Sequence, residues 1–360
     1  MIRRWSRRPR AGSACPLAPL ALPTLWGAVA VTWKLTCPLA RQDDMATRIA
    51  GSAVVFAVGA GLVMGLCRDL RRELRQIEAI AHAAQQVLLR PLPPRLDGLA
   101  IAGTQLPAVR GAVVGGDLYE AVATPYGVRV IIGDVRGHGL AALGAVAAVL
   151  GSFREAAYEE PGLGGLLRRL DRALQRYVGE RDRDEGPGHP ASGGPAEEFV
   201  TVLLLDIHHN GDVLVLNCGH PWPYRLGHDD AEPLAAGVPL PPLGAFPLPD
   251  TLPVRRCDRL LPGEALFLHT DGAAEARDAD GRFFPLEAVL GRVARRPALT
   301  PDAVIADVRA ALLAYTGGHL GDDVAFVVVR NDRAPAERLL VPAQPGKPGP
   351  RPTRPAPSSR

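Results

Sequence analysis

Short runs of β-branched and apolar residues recur along the middle of the chain, between residues 96 and 330. Most of these runs are bounded by Gly, Asp or Asn, which is typical of β-strands that end in turns. Some runs alternate apolar and polar residues, and others are continuously apolar, as in strands that are buried on both faces. The runs are residues 128–132, 199–207, 213–216, 265–269 and 324–329.

Helical patterns lie between the predicted strands, at residues 140–158, 163–178, 285–295 and 301–315. The last two begin with proline, a residue that is common in the first turn of a helix. Strands and helices interleave without a regular βαβ repeat. We therefore predict an α+β fold in which helices pack on a largely antiparallel sheet system.

Acidic residues next to glycine stand at the ends of the predicted strands. Asp134 follows the run 128–132, Asp271 follows the run 265–269, and Asp322 precedes the run 324–329. A fourth acidic position, Asp117, follows two glycines. Because the end of one antiparallel strand lies beside the start of its neighbour, we expect these carboxylates to gather on one edge of the sheet.

Clustered carboxylates repel one another, and divalent cations relieve that repulsion. A site made only of oxygen ligands favours hard ions such as Mg²⁺, Mn²⁺ or Ca²⁺. Two such ions about 4 Å apart can bind a phosphoryl oxygen and lower the pKa of a water molecule. A single Asp-Gly pair is more often a simple turn, so the prediction rests on the whole set and its order.

Two uncharged apolar segments, residues 15–33 and 49–67, precede this region. Each is long enough to be a transmembrane helix, which needs about 20 apolar residues. Five arginines and no acid lie in residues 1–10, and four more arginines follow the second segment in residues 68–75. The positive-inside rule therefore predicts a two-span membrane protein whose catalytic domain is cytoplasmic. A cleaved signal peptide followed by one span is the alternative.

The remaining segments define the predicted domain boundaries. Residues 1–67 form the membrane anchor, and apolar residues at helical spacing in 68–90 predict a helical linker. This linker is suited to pairing with a partner helix in a homodimer, or it is a plain connection. The folded domain spans residues 91–332 and contains a polar insertion at 181–197, and residues 333–360 form a proline-rich tail. Both of these segments have compositions typical of disorder.

Composition excludes several other classes of protein. The net charge is only +3, so nothing in the overall balance indicates a nucleic-acid partner. Five cysteines are scattered without a CxxC pair, which fits neither a zinc site nor a disulfide framework. We expect all five to be reduced.

The ordered aspartate motifs resemble those of SpoIIE-type bacterial phosphatases, which belong to the PPM superfamily of type 2C protein serine/threonine phosphatases. Residues 114–119 (VGGDLY) resemble the family's VGGDxYD motif, and residues 133–139 (GDVRGHG) resemble its GDVxGHG motif. Further likenesses follow in the same order at residues 217–221 (NCGHP), 243–244 (LG), 268–276 (LHTDGAAEA) and 321–324 (GDDV). The likeness covers residues 90–330.

This resemblance implies a two-layer antiparallel β-sandwich flanked by helices, with two divalent cations, Mn²⁺ or Mg²⁺, between the sheets. Asp134 would bridge both ions, and Asp134 and Asp117 are the main catalytic candidates. The implied metal ligands are Asp117, the backbone carbonyl of Val135, Asp134, Asp271 and Asp322, with Asp323 as the alternative to Asp322.

Other residues of the motifs have less definite roles. His138 is a candidate general acid, with a loop histidine that caps the next helix as the alternative reading. Arg110 and Arg136 are candidates for binding the phosphate. Glu120 stands where the family usually has Asp. His220 lies in a Gly-His-Pro turn, either in contact with the site or as a plain turn residue.

The resemblance implies hydrolysis of phosphoserine or phosphothreonine on a cytosolic regulatory protein. By analogy with the family, an anti-sigma-factor antagonist is the expected substrate and partner. The alternatives are a catalytically silent, membrane-tethered signalling scaffold, a phosphatase for small molecules, and a receptor that senses through its short loop at residues 34–48.

Overall fold

The computed structural model describes residues 26–27, 32, 45–108, 115–137, 140–185, 199–227, 230–234, 237–296 and 299–334. The helices in these ranges are α1 (Met45–Leu88), α2 (Leu140–Glu159), α3 (Leu163–Glu185), α4 (Asp271–Glu275), α5 (Leu286–Ala294) and α6 (Pro301–Tyr315). The strands are β1 (Arg95–Leu96), β2 (Leu99–Leu106), β3 (Asp117–Thr124), β4 (Gly127–Val135), β5 (Val200–Ile207), β6 (Val213–Cys218), β7 (Tyr224–Leu226), β8 (Ala231–Pro233), β9 (Arg255–Cys257), β10 (Ala265–His269) and β11 (Val324–Asn331).

The strands form two sheets. Sheet I has the order β1-β2-β11-β10-β7-β8, and sheet II has the order β3-β4-β5-β6-β9. Every pairing between neighbouring strands in both sheets is antiparallel. The predicted α+β fold with antiparallel sheets is therefore confirmed.

The two sheets pack face to face around a shared apolar core. On β4, Val130 and Ile132 point into this core, whereas Ile131 between them points to the opposite face of sheet II. On β11, Val327 belongs to the shared core and Val328 packs on the outer face of sheet I. Because strand side chains alternate between faces, both faces of these strands are buried, which accounts for their continuously apolar sequences.

Helices cover the outer face of each sheet. Phe153 of α2 and Leu166 of α3 pack in one cluster with Leu204 of sheet II. Leu290 of α5 and Leu312 of α6 pack in another cluster with residues of sheet I. The result is a sandwich with helical layers on both sides, as the sequence predicted.

A buried arginine joins β4, an inner strand of sheet II, to the end of α2. The side chain of Arg129 on β4 is fully buried and donates two hydrogen bonds to Asp206 Oδ2 on β5, each 3.1 Å long. It also donates to the carbonyl oxygens of Ala157 at 2.8 Å and Glu160 at 2.6 Å. These bonds fix the C-terminal end of α2 against the strand that carries Asp134 at its other end.

The long helix α1 joins the predicted second membrane span and the predicted linker into one helix. Its C-terminal end contacts the folded domain, because Arg154 Nη2 on α2 donates to the carbonyl oxygen of Leu88 at 2.6 Å. In the part of the chain that the structure describes, no helix is both long enough and apolar enough to cross a membrane. Apart from Trp26, Gly27 and Thr32, the first predicted span lies outside the described residues.

The other predicted boundaries agree with the structure in part. Helix α3 continues to Glu185, so the first five residues of the predicted disordered insertion 181–197 are helical. The rest of that insertion, and the tail from residue 335 onward, lie outside the described residues. Arg333 donates to the carbonyl oxygens of Asp97 and His208, which holds the end of the domain against its beginning.

Candidate active site

Asp117 and Asp134 lie directly opposite each other on neighbouring strands of sheet II. Asp117 is the first residue of β3, and its cross-strand partner on β4 is Asp134. Asp117 is only 1% exposed. Two carboxylates that face each other in this way repel one another unless a proton or a cation lies between them.

The other acidic residues come from the ends of two central strands of sheet I. Asp271 follows the last residue of β10 by two positions, and Asp322 and Asp323 immediately precede β11, the antiparallel partner of β10. The hydroxyl of Thr270 links the two sheets, because it donates to Asp117 Oδ2 at 3.4 Å. The structure therefore brings the predicted acidic residues together at one end of the sandwich, with each sheet contributing part of the set.

The electrostatics of Asp117 reflect this arrangement. Burial raises the pKa of its carboxyl group well above the ordinary value, and the charges of Asp134 and Asp323 raise it further. The Thr270 hydrogen bond lowers the pKa, but by less than these effects raise it. The protein without cations therefore favours the protonated form of Asp117.

Asp134 and Asp271 show the same behaviour. Burial raises the pKa of Asp134 to about 7, and the charges of Asp271, Asp322 and Asp323 contribute to the rise. Burial also raises the pKa of Asp271, followed by the charge of Asp322. The site thus concentrates negative charge that the surrounding protein does not neutralise.

Asp322 and Asp323 have different surroundings. The backbone N–H of Ala108 donates to Asp323 Oδ1 at 2.8 Å, and burial raises the pKa of Asp323. Asp322 is exposed, and its Oδ1 accepts a hydrogen bond from the backbone N–H of Asp323 at 2.8 Å. Both carboxylates thus accept one backbone hydrogen bond, and they differ in that Asp322 is exposed whereas Asp323 is half-buried.

Two glycines leave open the space around these carboxylates. A Cβ atom at Gly116 would lie 2.2 Å from the carbonyl oxygen of Val135 and 2.8 Å from Asp134 Oδ1. A Cβ atom at Gly115 would lie 2.1 Å from Asp323 Oδ2. Any other residue at either position would displace oxygen atoms of the site, so the need for glycine comes from close approach.

The donor set fits a hard divalent cation. Its side chains are all carboxylates, their mutual repulsion favours a bound positive charge, and the glycines keep the Val135 carbonyl accessible. Among the described residues, however, no three His, Cys, Asp or Glu side chains are already arranged as a metal cluster.

The other residues that the sequence singled out are Arg110, Glu120, Arg136 and His138. His138 and Arg110 lie outside the described residues. The guanidinium group of Arg136 lies 5.1 Å from the centre of the Phe199 ring. Glu120 points away from the cluster and accepts a hydrogen bond from Arg154 Nε at 2.8 Å.

Two threonines of the site were not predicted from the sequence. Thr201 on β5 is the cross-strand partner of Asp134, and its Oγ1 accepts the Asp134 backbone N–H at 3.2 Å. Thr270 is fully buried and, besides its bond to Asp117, accepts the backbone N–H of Ala325 at 2.8 Å. Thr270 precedes Asp271 in a recognised motif, which was an available signal, but only the strand register places Thr201.

A helix-flanked antiparallel β-sandwich, with carboxylates from both sheets at one end, is the arrangement that the resemblance to PPM-type phosphatases implied. The family model described as Stage II sporulation protein E (SpoIIE) matches residues 124–332, which is more than half of the chain. The chain belongs to this family.

Solved structures share the fold. The RsbU and RsbW domains of a Mycobacterium tuberculosis protein align with a TM-score of 0.50 and 23% identity, covering 69% of this chain and 63% of that one. The chain thus spans less than two thirds of that mycobacterial structure. The SiaA-PP2C domain of Pseudomonas aeruginosa aligns with a TM-score of 0.54 and 16% identity, covering 73% of this chain and 97% of that domain. At these identities the likeness establishes the fold alone.

Proposed function

We propose that the chain is a metal-dependent phosphatase that hydrolyses phosphoserine or phosphothreonine on a cytosolic regulatory protein. The observation that carries the proposal is the cross-strand pairing of Asp117 and Asp134, whose pKa values are both raised by burial and by neighbouring carboxylates. A protein retains such a repulsive cluster at a stability cost, which is the usual sign of a functional site. A silent scaffold would not need it.

The chain's own carboxylates would hold two divalent cations, Mn²⁺ or Mg²⁺. Asp134 would bridge the pair, Asp117 and the Val135 carbonyl would serve one ion, and Asp271 and Asp322 would serve the other. Asp323 is the alternative to Asp322, although its bond to Ala108 favours a positioning role. When bound, the cations would supply a polarised phosphoryl oxygen and an acidified water.

Other groups of the chain would orient the site around the substrate. Thr270 fixes one oxygen of Asp117, and Thr201 fixes the backbone of Asp134. Arg136 follows Asp134 by two residues, and its guanidinium group lies over the Phe199 ring. We propose that Arg136 contacts the substrate phosphate. His138 is the candidate proton donor to the leaving oxygen.

The proposed substrate is a phosphorylated anti-sigma-factor antagonist. This part of the proposal rests on family resemblance, together with the fold likeness to a protein that carries RsbU and RsbW domains. No residue of the site by itself selects that partner.

Hydrolysis assays on the full-length chain test the proposal. The substrates are p-nitrophenyl phosphate and a phosphoserine peptide, with Mn²⁺, with Mg²⁺ and with EDTA. The key variant is Asp134→Asn, and Asp250→Asn is the matched control, because Asp250 is an exposed aspartate outside the cluster. We expect metal-dependent turnover of both substrates, a loss of at least about 100-fold in Asp134→Asn, and wild-type rates in Asp250→Asn.

Other outcomes would point to the alternatives. Turnover of p-nitrophenyl phosphate but of no phosphopeptide would favour a phosphatase for small molecules. A folded full-length chain that binds Mn²⁺ and hydrolyses neither substrate would favour the silent scaffold. Equal activity in Asp134→Asn would remove that residue from the proposed site.

We also propose that residues 1–67 attach the chain to a membrane and leave the catalytic domain in the cytoplasm. Support comes from the absence of charge in residues 49–67 and from the apolar side chains exposed there, such as Phe56 at 78% and Val54 at 63%. Burying such side chains in lipid is favourable. Fractionation of cells that express the full chain or residues 68–360 tests this, and recovery of both in the soluble fraction would contradict it.

The part of α1 at residues 68–90 is proposed to pair with the same helix of a second copy. Cys67, an exposed free thiol at the start of this part, provides a direct probe. Mild oxidation should yield a covalent dimer in the wild type and none in Cys67→Ser. A wild-type chain that remains monomeric at high concentration in size-exclusion chromatography would favour a plain linker.

A further inference from the structure

His220 lies in a turn that holds its ring in a fixed position between the two sheets. The residue is 3% exposed. The side chain of Asn217 closes the turn, because its Nδ2 donates to the His220 carbonyl at 2.8 Å and its Oδ1 accepts the His220 N–H at 2.9 Å. Gly219 between them has a φ of +68°, a conformation that favours glycine. The ring is thus positioned by the backbone of the turn.

One side of the ring faces β5, the strand that pairs with the strand of Asp134. The Nδ1 atom of His220 lies 3.0 Å from Thr201 Oγ1. The same hydroxyl accepts the backbone N–H of Asp134 at 3.2 Å. The hydroxyl of Thr201 therefore connects the histidine ring to the main chain of Asp134 through two consecutive hydrogen bonds.

The other side of the ring faces sheet I. The backbone of His269, at the end of β10, interacts with the His220 ring. The buried Nε2 of His220 has no hydrogen-bond partner among the described residues, so its interaction with the His269 backbone is not a regular hydrogen bond. Burial lowers the pKa of His220 to about 3, so the ring is neutral at physiological pH. A neutral ring carries one N–H and one acceptor nitrogen.

These contacts favour one tautomer of the ring. If Nε2 carries the proton, it faces the backbone of His269, and Nδ1 at 3.0 Å accepts the hydroxyl proton of Thr201, whose other acceptor is the more distant Asp134 carbonyl oxygen at 3.4 Å. The lone pairs of Thr201 then remain available to the Asp134 N–H. The hydrogen-bond donors then follow one another from sheet II to sheet I: the Asp134 N–H donates to Thr201, the Thr201 hydroxyl to His220, and the His220 ring faces the end of β10. Asp271 follows two residues after His269, the last residue of β10.

We propose that His220 is a positioning residue that acts through Thr201 and sets the backbone of Asp134 relative to the strand end that carries Asp271. The inference rests on the proposed function, because it concerns the geometry of the same carboxylate site. His220 itself neither binds the cation nor contacts the substrate. Groups that orient metal ligands in this way typically change metal affinity or activity by about 10- to 100-fold when removed.

Paired substitutions in the full-length chain separate positioning from simple packing. An asparagine amide reaches the position of Nδ1, whereas a glutamine amide reaches that of Nε2, so His220→Asn keeps the contact to Thr201 and His220→Gln loses it. Thr201→Ser keeps the hydroxyl and Thr201→Val removes it. The measurements are kcat and KM for p-nitrophenyl phosphate, the Kd for Mn²⁺ by calorimetry, and the melting temperature in EDTA.

We expect His220→Gln and Thr201→Val to lose about tenfold in kcat and in Mn²⁺ affinity, with KM within about twofold of the wild type. His220→Asn and Thr201→Ser should stay within about threefold of the wild type. The double variant Thr201→Val/His220→Gln should have kcat and Mn²⁺ affinity within about twofold of the poorer single variant, since both substitutions act through the hydroxyl group of Thr201.

Three results would overturn the inference. They are multiplicative losses in the double variant, equal losses in His220→Asn and His220→Gln, and unchanged Mn²⁺ affinity in a folded Thr201→Val. Failure of the proposed function is a separate result, because it appears as absent turnover in the wild type. In that case the Mn²⁺ affinities of the wild type and of the His220 and Thr201 variants, compared with one another, still test the inference. A wild type that binds no Mn²⁺ contradicts it.

Discussion

Asp117 and Asp134 form a direct cross-strand pair between β3 and β4, and burial together with neighbouring acidic charges raises the pKa values of both carboxyl groups. The pair is unfavourable for the fold without a cation. It therefore links stability, pH and metal binding in ways that can be measured.

Replacing Asp134 by Asn should stabilise the metal-free protein in a pH-dependent way. Burial and neighbouring charges raise the pKa of Asp134 from 3.8 to about 7. The stabilisation that comes from the bound proton is fully present below the unfolded pKa of 3.8 and is lost as the pH rises through about 7. Asparagine mimics the protonated carboxyl group, so in EDTA the variant should melt higher than the wild type at about pH 8 and no differently near pH 4.

Thermal unfolding of both proteins across this pH range checks that prediction. The difference between them isolates Asp134 from other titrating groups, including the buried histidines. A difference in melting temperature that does not change with pH would show that the carboxylate is not strained in the folded state. With Mn²⁺ present the order should reverse, because the ion stabilises only the protein that binds it.

Gly116→Ala should abolish activity while leaving the fold intact. The added Cβ would meet the Val135 carbonyl oxygen at 2.2 Å and Asp134 Oδ1 at 2.8 Å, so both oxygen atoms must shift. We expect a loss of at least about 100-fold in kcat, since such losses follow displacements near 1 Å in a site. Gly291→Ala is the matched control, because a Cβ there meets nothing within 4 Å.

Kinetic assays and the calorimetric Kd for Mn²⁺ measure both glycine variants. Gly291 lies in α5, where alanine is a better helix former, so that variant should keep wild-type kinetics and gain slightly in stability. Full activity in Gly116→Ala would mean that the Val135 carbonyl and Asp134 need not hold their positions.

Arg129→Met should destabilise the fold strongly. The substitution leaves the Asp206 carboxylate buried and unpaired, and it frees the carbonyl oxygens of Ala157 and Glu160. Breaking a buried ion pair from one side typically costs about 3–5 kcal/mol. Burial already raises the pKa of Asp206 despite the nearby arginine, so this carboxylate depends on its partner.

Urea unfolding measures the loss of stability in Arg129→Met. The double variant Arg129→Met/Asp206→Leu removes both charges and should recover much of the loss, because no unpaired ion remains. Arg282→Met, at an arginine whose side chain is 71% exposed, should cost less than about 1 kcal/mol. Equal costs for the buried and the exposed arginine would contradict the role assigned to Arg129.

Glu120→Asp should loosen the attachment of α1 to the folded domain. Glu120 accepts two contacts from Arg154, at 2.8 Å and 2.6 Å, and Arg154 also holds the carbonyl oxygen of Leu88. A shorter carboxylate cannot keep both contacts, although it matches the residue usual in the family. We expect faster hydrogen exchange around residues 85–90 and a stability loss of about 1 kcal/mol.

Hydrogen exchange followed by mass spectrometry tests the Glu120 prediction. Arg154→Lys should give the same local change, because lysine cannot keep the forked geometry of arginine. Arg172→Ala, in the neighbouring helix α3, serves as the control and should leave exchange at residues 85–90 unchanged. Unaltered exchange in both Glu120→Asp and Arg154→Lys would mean that other contacts hold the end of α1.

The sequence by itself determined the fold class, most element positions and the acidic set. Strand β10 and helix α6 begin and end at the predicted residues, because apolar periodicity and flanking turn residues are local properties. Asp134, Asp271 and Asp322 were recognisable because each stands next to glycine beside a predicted strand, and Asp117 because it follows two glycines in a recognised motif. The strands β2 and β3 were not among the predicted runs, since their small and polar residues give a weaker pattern.

Tertiary structure decided how these parts meet. It placed Asp117 and Asp134 on sheet II and Asp271 just beyond the end of β10, a central strand of sheet I. The strand pattern in the sequence had predicted that these carboxylates gather on one edge of a single sheet. It also brought Thr201, His220 and Thr270 into the site, although nothing local distinguishes a threonine on β5 from any other strand threonine. Their roles depend on strand register and on the packing of two sheets, which are long-range properties that arise only when distant segments pair.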